Sequence, residues 1–208
     1  MTELIITKPD DMHLHLREGD ILKHACSDTE RQFARAIVMP NLKNPIKSVN
    51  QAEKYYQDIK KCTTYSNFEP LMTLFFNDAL DEEEIKKVSN SDVIHGIKLY
   101  PSGVTTNSND GVDIIDKCFN LFELMQKYGV PLLIHAETND KNIDIFDREK
   151  VFIDRHLAQI NSEFPDLRIV FEHISSKEAV DFVISANSNL RATITPQHML
   201  LDRNDLLS

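Results

Sequence analysis

The chain has 208 residues, 41% of them hydrophobic, enough to bury a sizeable core as one domain and too apolar for a disordered segment. Its formal net charge of -10 excludes a nucleic-acid backbone as the natural partner, which would need a basic face, and suits small-molecule chemistry in solution. Cys26, Cys62 and Cys118 are odd in number and widely spaced, so neither a disulfide framework nor a cysteine metal knuckle is expected, and the setting reads as reducing and cytoplasmic.

No basic region followed by an apolar run opens the chain, and no apolar stretch approaches membrane-spanning length, so no membrane partner is expected. The first strand is read at about Asp11 to Leu16, followed by a charged turn and a short helix around Ile21 to Cys26. Ala34 to Met39 reads as a strand buried on both faces, stopped by Pro40-Asn41. A helix from about Asn50 to Lys61 leads to the third strand, Pro70 to Phe76. Asp81 to Glu84 put acidic residues at the start of the next short helix, where the macrodipole favours them, and the fourth strand is about Val93 to Tyr100. Pro101 to Gly111 is too polar to pack and too long for a simple turn, and reads as a mobile functional loop. Val112 to Tyr128 is patterned as one helix, with Gly129 placed to end it. Pro131 to His135 is the fifth strand, Asp147 to Ser162 a helix, and Leu167 to His173 the sixth strand. Ser175 and Glu178 have capping-box spacing at the head of a helix reaching about Ala186, and a seventh strand, about Arg191 to Thr195, leads into Pro196-Gln197-His198.

Strand and helix alternate throughout, without repeats or linkers, which predicts a single α/β domain over residues 1–208 built on a parallel sheet. The choice lies between an open doubly wound sheet and a closed (β/α)8 TIM-like barrel. With only 5 glycines and no Gly-rich turn after the first strand, a dinucleotide or phosphate cradle is absent. Residues able to bind a metal fall at the ends of several different strands, which favours the barrel.

Those residues begin with His13 and His15. Alternate residues of a strand share a face, so the two imidazoles project together. Lys98 lies on strand four, His135 at the end of strand five and His173 at the end of strand six. Imidazole suits zinc, and four histidines from three strand ends can hold a two-metal site if an anion bridges the ions. Desolvation favours the neutral amine of a buried lysine, which reacts with carbon dioxide to give a carbamate, an anionic bidentate ligand. Taken singly, each residue has an ordinary reading: a half-buried strand with a polar face, a snorkelling lysine, a hydrogen-bonded core histidine. His24 and His156 read as surface or packing residues, His95 as packing at the start of strand four, and His198 lies near the expected mouth.

The segments Pro9-Asp10-Asp11-Met12-His13-Leu14-His15-Leu16-Arg17, Ala36-Ile37-Val38-Met39-Pro40-Asn41, Lys98-Leu99-Tyr100-Pro101, Leu132-Leu133-Ile134-His135, Phe171-Glu172-His173 and Ala192-Thr193-Ile194-Thr195-Pro196-Gln197-His198, in this order, carry a resemblance. Asp144-Ile145-Phe146-Asp147-Arg148-Glu149 adds to it. Together they resemble the bacterial dihydroorotases of the amidohydrolase superfamily, of the single-function, shorter-chain type used in pyrimidine biosynthesis. The resemblance implies two zinc ions per subunit, His13 and His15 on the more buried one, His135 and His173 on the more exposed one. Carbamylated Lys98 and a hydroxide would bridge them. It implies that Arg17 and Asn41 hold the substrate carboxylate, that Thr105 and Thr106 belong to a lid over the bound ring, that His135 also contacts substrate, and that Tyr100 supports the site. The implied reaction is the reversible cyclisation of N-carbamoyl-L-aspartate to L-dihydroorotate, in a homodimer.

The family pattern also holds an aspartate at the end of strand eight, which ligates the buried zinc and shuttles the proton. The chain ends at Leu206-Leu207-Ser208, just after strand seven, and no Asp present has that context. The expectation is therefore an N-terminal part of a longer protein, comprising strands one to seven, with the activity of these residues alone doubtful. Two other readings stay open: a related cyclic amidase of the hydantoinase or dihydropyrimidinase kind, against which Arg17 and Asn41 speak, and a catalytically silent dihydroorotase-like partner subunit.

Overall fold

Apolar β-branched runs pair as strands and amphipathic runs wind as helices in the computed structural model, which describes residues 3–64, 67–77 and 79–207. The strands are β1 (Asp10–Leu14), β2 (Arg35–Val38), β3 (Glu69–Phe75), β4 (Ile94–Leu99), β5 (Leu132–Ile134), β6 (Ile169–Phe171) and β7 (Leu190–Ala192). They form one 7-stranded sheet in chain order, parallel at every step. Crossovers of one hand at each step curl such a sheet toward a barrel. The curl is visible in the rings of His13, on β1, and His173, just after β6, whose centroids lie 5.1 Å apart. In a flat sheet five strand spacings would separate them by roughly 24 Å. The expected TIM-like fold is thus present through seven strands, and among the described residues β1 and β7 remain its edges.

Strand parity sorts the core. Ile97, Leu132 and Ile169 are in register across β4, β5 and β6 and join the hydrophobic cluster that packs beneath the helices. One residue along, Phe75, Lys98, Leu133 and Val170 are in register across β3 to β6 and so share the opposite, inward face. The period of two therefore places Lys98 inside the curl.

The helices are α1 (Gly19–Gln32), α2 (Val49–Cys62), α3 (Glu82–Ser89), α4 (Phe119–Tyr128), α5 (Arg148–Phe152), α6 (Ala158–Glu163), α7 (Lys177–Ser185), α8 (Pro196–Leu200) and α9 (Arg203–Leu207). A π-turned segment, Ile153–Leu157, joins α5 to α6. Three boundaries depart from the sequence reading. α1 continues well past Cys26, because Thr29 and Glu30 are buried and the Glu30 carboxylate accepts from Thr64 N and Oγ1 at 2.8 and 2.7 Å. The helix read over Val112 to Tyr128 becomes α only at Phe119, since Val112 donates to Tyr100 O at 2.8 Å and Ile115–Cys118 winds as a 3-10 turn. The N-cap of α7 is Ser176, whose Oγ accepts from Ala179 N, while the backbone of Ser175 bonds instead to Glu149. Gly129 does end α4, with φ at 65° in the left-handed region.

Candidate active site

Four histidines meet at the ends of the parallel strands. His13 stands on β1 and His15 one residue beyond it, with their Nε2 atoms 3.1 Å apart. His135 follows β5 and His173 follows β6, and their ring centroids are 4.5 Å apart. His173 is held at φ 44° by a 2.8 Å bond from its N–H to Thr193 Oγ1. The four rings, Thr105 and His198 line a cavity of about 430 Å³. Lys98 lies fully buried beneath them, its Nζ 4.8 Å from the centre of the Tyr100 ring, which itself stacks on Phe75.

The flank is built from strand β2 and the loop after β4. Arg17, at φ 60°, donates from Nη1 to Asn41 O at 3.3 Å. Asn41 is buried and its Nδ2 donates to Thr106 O at 2.9 Å, while Asn107 Nδ2 returns a bond to Asn41 O at 3.1 Å. The polar loop is thus tied to the very residue read as a carboxylate grip. Arg17, Asn41 and Thr106 stand beside the cavity and do not line it. Gly111 closes the loop where a Cβ would meet Tyr100 O at 2.4 Å, a contact only glycine avoids.

Burial and neighbouring positive charge keep the His15 and His173 imidazoles neutral here. The His15 pKa falls to about 3, through desolvation and then the charges of His13, Arg17 and Lys98. His173 is lowered further by desolvation, Lys98 and the other histidines. Burial also lowers Lys98, against the opposing pull of Glu172. For Glu172 itself burial pushes upward, but Lys98 and His13 outweigh it and hold the carboxyl down.

Sequence reasoning gave no site role to Glu172, nor to Glu137, Thr195 and Gln197, which line the cavity, and read Ser175, also on the cavity wall, only as a helix cap. Glu172 was detectable as the one acid closing the apolar run Ile169-Val170-Phe171. Its Oε1 lies 3.0 Å from His13 Nδ1, and its Oε2 is in direct ionic contact with Lys98 Nζ. Neither approach is aligned as a hydrogen bond, so all four atoms remain unsatisfied in the interior.

Do these donors suit the zinc pair implied by the resemblance? Two nitrogens on one tetrahedral ion with bonds of 2.0–2.1 Å lie roughly 3.3 Å apart, close to the His13–His15 separation. His135 Nε2 is a buried atom without a partner. Neutral imidazole is the ligating form. Among the described residues no three His, Cys, Asp or Glu donors already converge on one point; the rings pack edge to face instead. A carbamate on Lys98 would add an anionic bridge to this set, which still lacks the strand-eight aspartate that the resemblance implies. In type and position the donors fit.

The pattern of the amidohydrolase family matches residues 5–205. The chain belongs to the amidohydrolase family. This amidohydrolase is 51% identical over 205 residues to a dihydroorotase from Alcanivorax borkumensis, covering 98% of the chain and 60% of that protein. The chain therefore spans about 60% of the length of the curated relative it matches. A dihydroorotase structure from Campylobacter jejuni superposes with a TM-score of 0.89 at 39% identity, over 96% of this chain and 57% of that one. A Saccharomyces cerevisiae dihydroorotase in complex with 5-fluoroorotic acid gives a TM-score of 0.87 at 28% identity, over 96% and 59% of the two chains.

Proposed function

We propose that this protein is a dihydroorotase, interconverting N-carbamoyl-L-aspartate and L-dihydroorotate. The observation that carries the reading is the convergence of four histidines over a fully buried lysine at one mouth of a parallel barrel sheet, with a guanidinium and an amide alongside. Resemblance to dihydroorotases over nearly the whole chain supports the choice of substrate.

His13, His15, His135, His173 and a carbamate on Lys98 would hold two zinc ions, which supply Lewis-acid polarisation of the ring amide and an acidified water. Lys98 prepares the bridge: its neutral Nζ lone pair bonds the carbon of carbon dioxide, one N–H proton is released, and Nζ keeps one hydrogen. Arg17 and Asn41 take the substrate carboxylate, the guanidinium as a charged fork and the amide as one further donor. Accepting substrate redirects the Asn41 amide away from Thr106 O, so binding and the position of the loop bearing Thr105 and Thr106 are linked. Tyr100, buried against Phe75, props the lysine from the side. The proton that must travel from the attacking oxygen to the leaving nitrogen needs a carboxylate, and neither Asp202 nor Asp205 offers one: both are exposed and bond to the backbone of their own turn. Among the described residues no helix is long and apolar enough to cross a membrane, and no disulfide joins Cys26, Cys62 and Cys118. A cytoplasmic homodimer is the setting we assign.

The test uses protein expressed from the complete reading frame and loaded with zinc. Turnover of carbamoyl-aspartate is expected, with Arg17→Ala raising KM by roughly 10- to 100-fold, the loss of a charge-assisted hydrogen bond. Absence of turnover despite bound zinc supports the silent-partner reading. Hydantoin hydrolysis indifferent to Arg17→Ala supports the cyclic-amidase one.

A further inference from the structure

Glu172 is a fully buried carboxylate that the chemistry above leaves without a task. Its place is fixed by the fold: its own N–H donates to Ile134 O at 3.1 Å, continuing the β5–β6 ladder to the mouth. From there one oxygen faces His13 Nδ1 at 3.0 Å and the other meets Lys98 Nζ. A carboxylate with no solvent contact must find donors, and these two groups are the ones presented to it.

We infer that Glu172 is a positioning residue that selects the tautomer of His13 and aims Lys98, so that both present their ligating ends to the cavity. A neutral imidazole carries one N–H. Were it on Nε2, it would point toward His15 Nε2, 3.1 Å away, and would turn the Nδ1 lone pair against an anion. With the hydrogen on Nδ1, on the side of the Glu172 oxygen 3.0 Å away, the Nε2 lone pair is free and converges with that of His15. Carboxylates behind metal-bound histidines act in this way generally. The same logic extends to Lys98, because Nζ retains one hydrogen after carbamylation and the second oxygen of Glu172 can accept it. One acid thus sets the direction of two ligands that come from different strands. This inference rests on the proposed metal role of His13 and Lys98, and its test separates the two.

Histidine is labelled with 15N in the full, metal-free chain near neutral pH, and the His13 ring is assigned from its loss in His13→Gln. The expected tautomer in the unsubstituted protein is Nδ1–H, replaced by Nε2–H or a mixture in Glu172→Leu. Zinc chloride titrated against a chromophoric chelator should show affinity reduced roughly 10- to 100-fold in Glu172→Leu, with helical circular dichroism unchanged. If Glu172→Leu unfolds because Lys98 is left buried and unpaired, the Lys98→Met/Glu172→Leu pair buries no charge and takes the same tautomer measurement. Nε2–H in the unsubstituted protein, or a tautomer indifferent to residue 172, overturns the inference. Unsubstituted protein that takes up no zinc overturns the metal reading instead, and the tautomer still decides Glu172.

Discussion

The loop from Pro101 to Gly111 is held over the site by few external ties, and cutting the main one should open it measurably. Asn41→Ala removes the 2.9 Å bond from Nδ2 to Thr106 O, while leaving Asn41 O to its donors Arg17 and Asn107. Thr106 is exposed, so its freed carbonyl turns to water and no buried acceptor is stranded. The cost is then the net worth of one neutral hydrogen bond, about 1 kcal/mol, or roughly 5-fold in the opening equilibrium. Of the other external ties, Asn107 Nδ2 to Asn41 O and Asn139 Nδ2 to Ser102 O, both 3.1 Å, persist in the variant, and Lys47 Nζ to Asp110 Oδ2 at 2.7 Å is an exposed pair worth about 0–1 kcal/mol. Within the loop, Ser108 accepts from Gly103 N and Gly111 N and donates to Thr105 O, so the segment should move as a unit. Cleavage inside Val104 to Asn107 by a broad-specificity protease follows the open population when opening is fast. The expected acceleration is about 5-fold for Asn41→Ala and anywhere from none to about 5-fold for Asp110→Asn, from the exposed-pair value. Equal rates for Asn41→Ala and the parent would show that the remaining ties hold the loop without this bond, and the proposed coupling between Asn41 and the loop would fall.

Two further outcomes follow from buried groups away from the loop. Glu149 accepts from Ser175 N at 3.2 Å and Ser176 N at 2.8 Å, so Glu149→Ala removes two charge-assisted bonds just beyond His173, the Ser175 one on an exposed residue, and should destabilise the full chain by about 1.5–3 kcal/mol in urea unfolding; a loss under about 1 kcal/mol would refute the assignment. Burial, with the charges of Cys62 and Glu30, pushes the Cys26 thiol up to about 12, so native-state alkylation at mildly alkaline pH should label the partly exposed Cys62 and spare Cys26. Peptide mapping that finds Cys26 labelled first would contradict that environment.

Legibility in the sequence followed the range of the interactions. The pairing of His13 with His15 was readable from a period of two, although β1 ends at Leu14 and the second histidine lies beyond it. Gly129 was readable because a left-handed C-cap is a local demand. What escaped depends on distant partners. α1 outran its apolar pattern because Thr64 satisfies Glu30, and the cap of α7 is Ser176 because its Oγ is the one that accepts from Ala179 N, in a turn that Glu149 anchors through both Ser175 N and Ser176 N. Glu172 escaped for the same reason: its meaning lies in Lys98 and His13, which only the curl of the sheet brings to it.

The curl also explains where the backbone is strained. Arg17 at φ 60° and His173 at φ 44° are non-glycine residues in the left-handed region, a conformation that costs roughly 1–2 kcal/mol per residue. Arg17 lies three residues beyond β1 and His173 two beyond β6, one beside Asn41 and one within the histidine cluster. Each is pinned from outside its own segment, Arg17 by Tyr55 OH donating to its carbonyl at 2.6 Å and His173 by its bond to Thr193. Glycine would remove the strain at either place but also the guanidinium or the imidazole. The chain therefore tolerates an unfavourable backbone at two positions where the side chain is needed facing inward, and stabilises it with bonds from α2 and from the segment after β7. Strain that sits on both sides of one cavity, supported by bonds from outside each strained segment, is what a site held ready for a ligand requires.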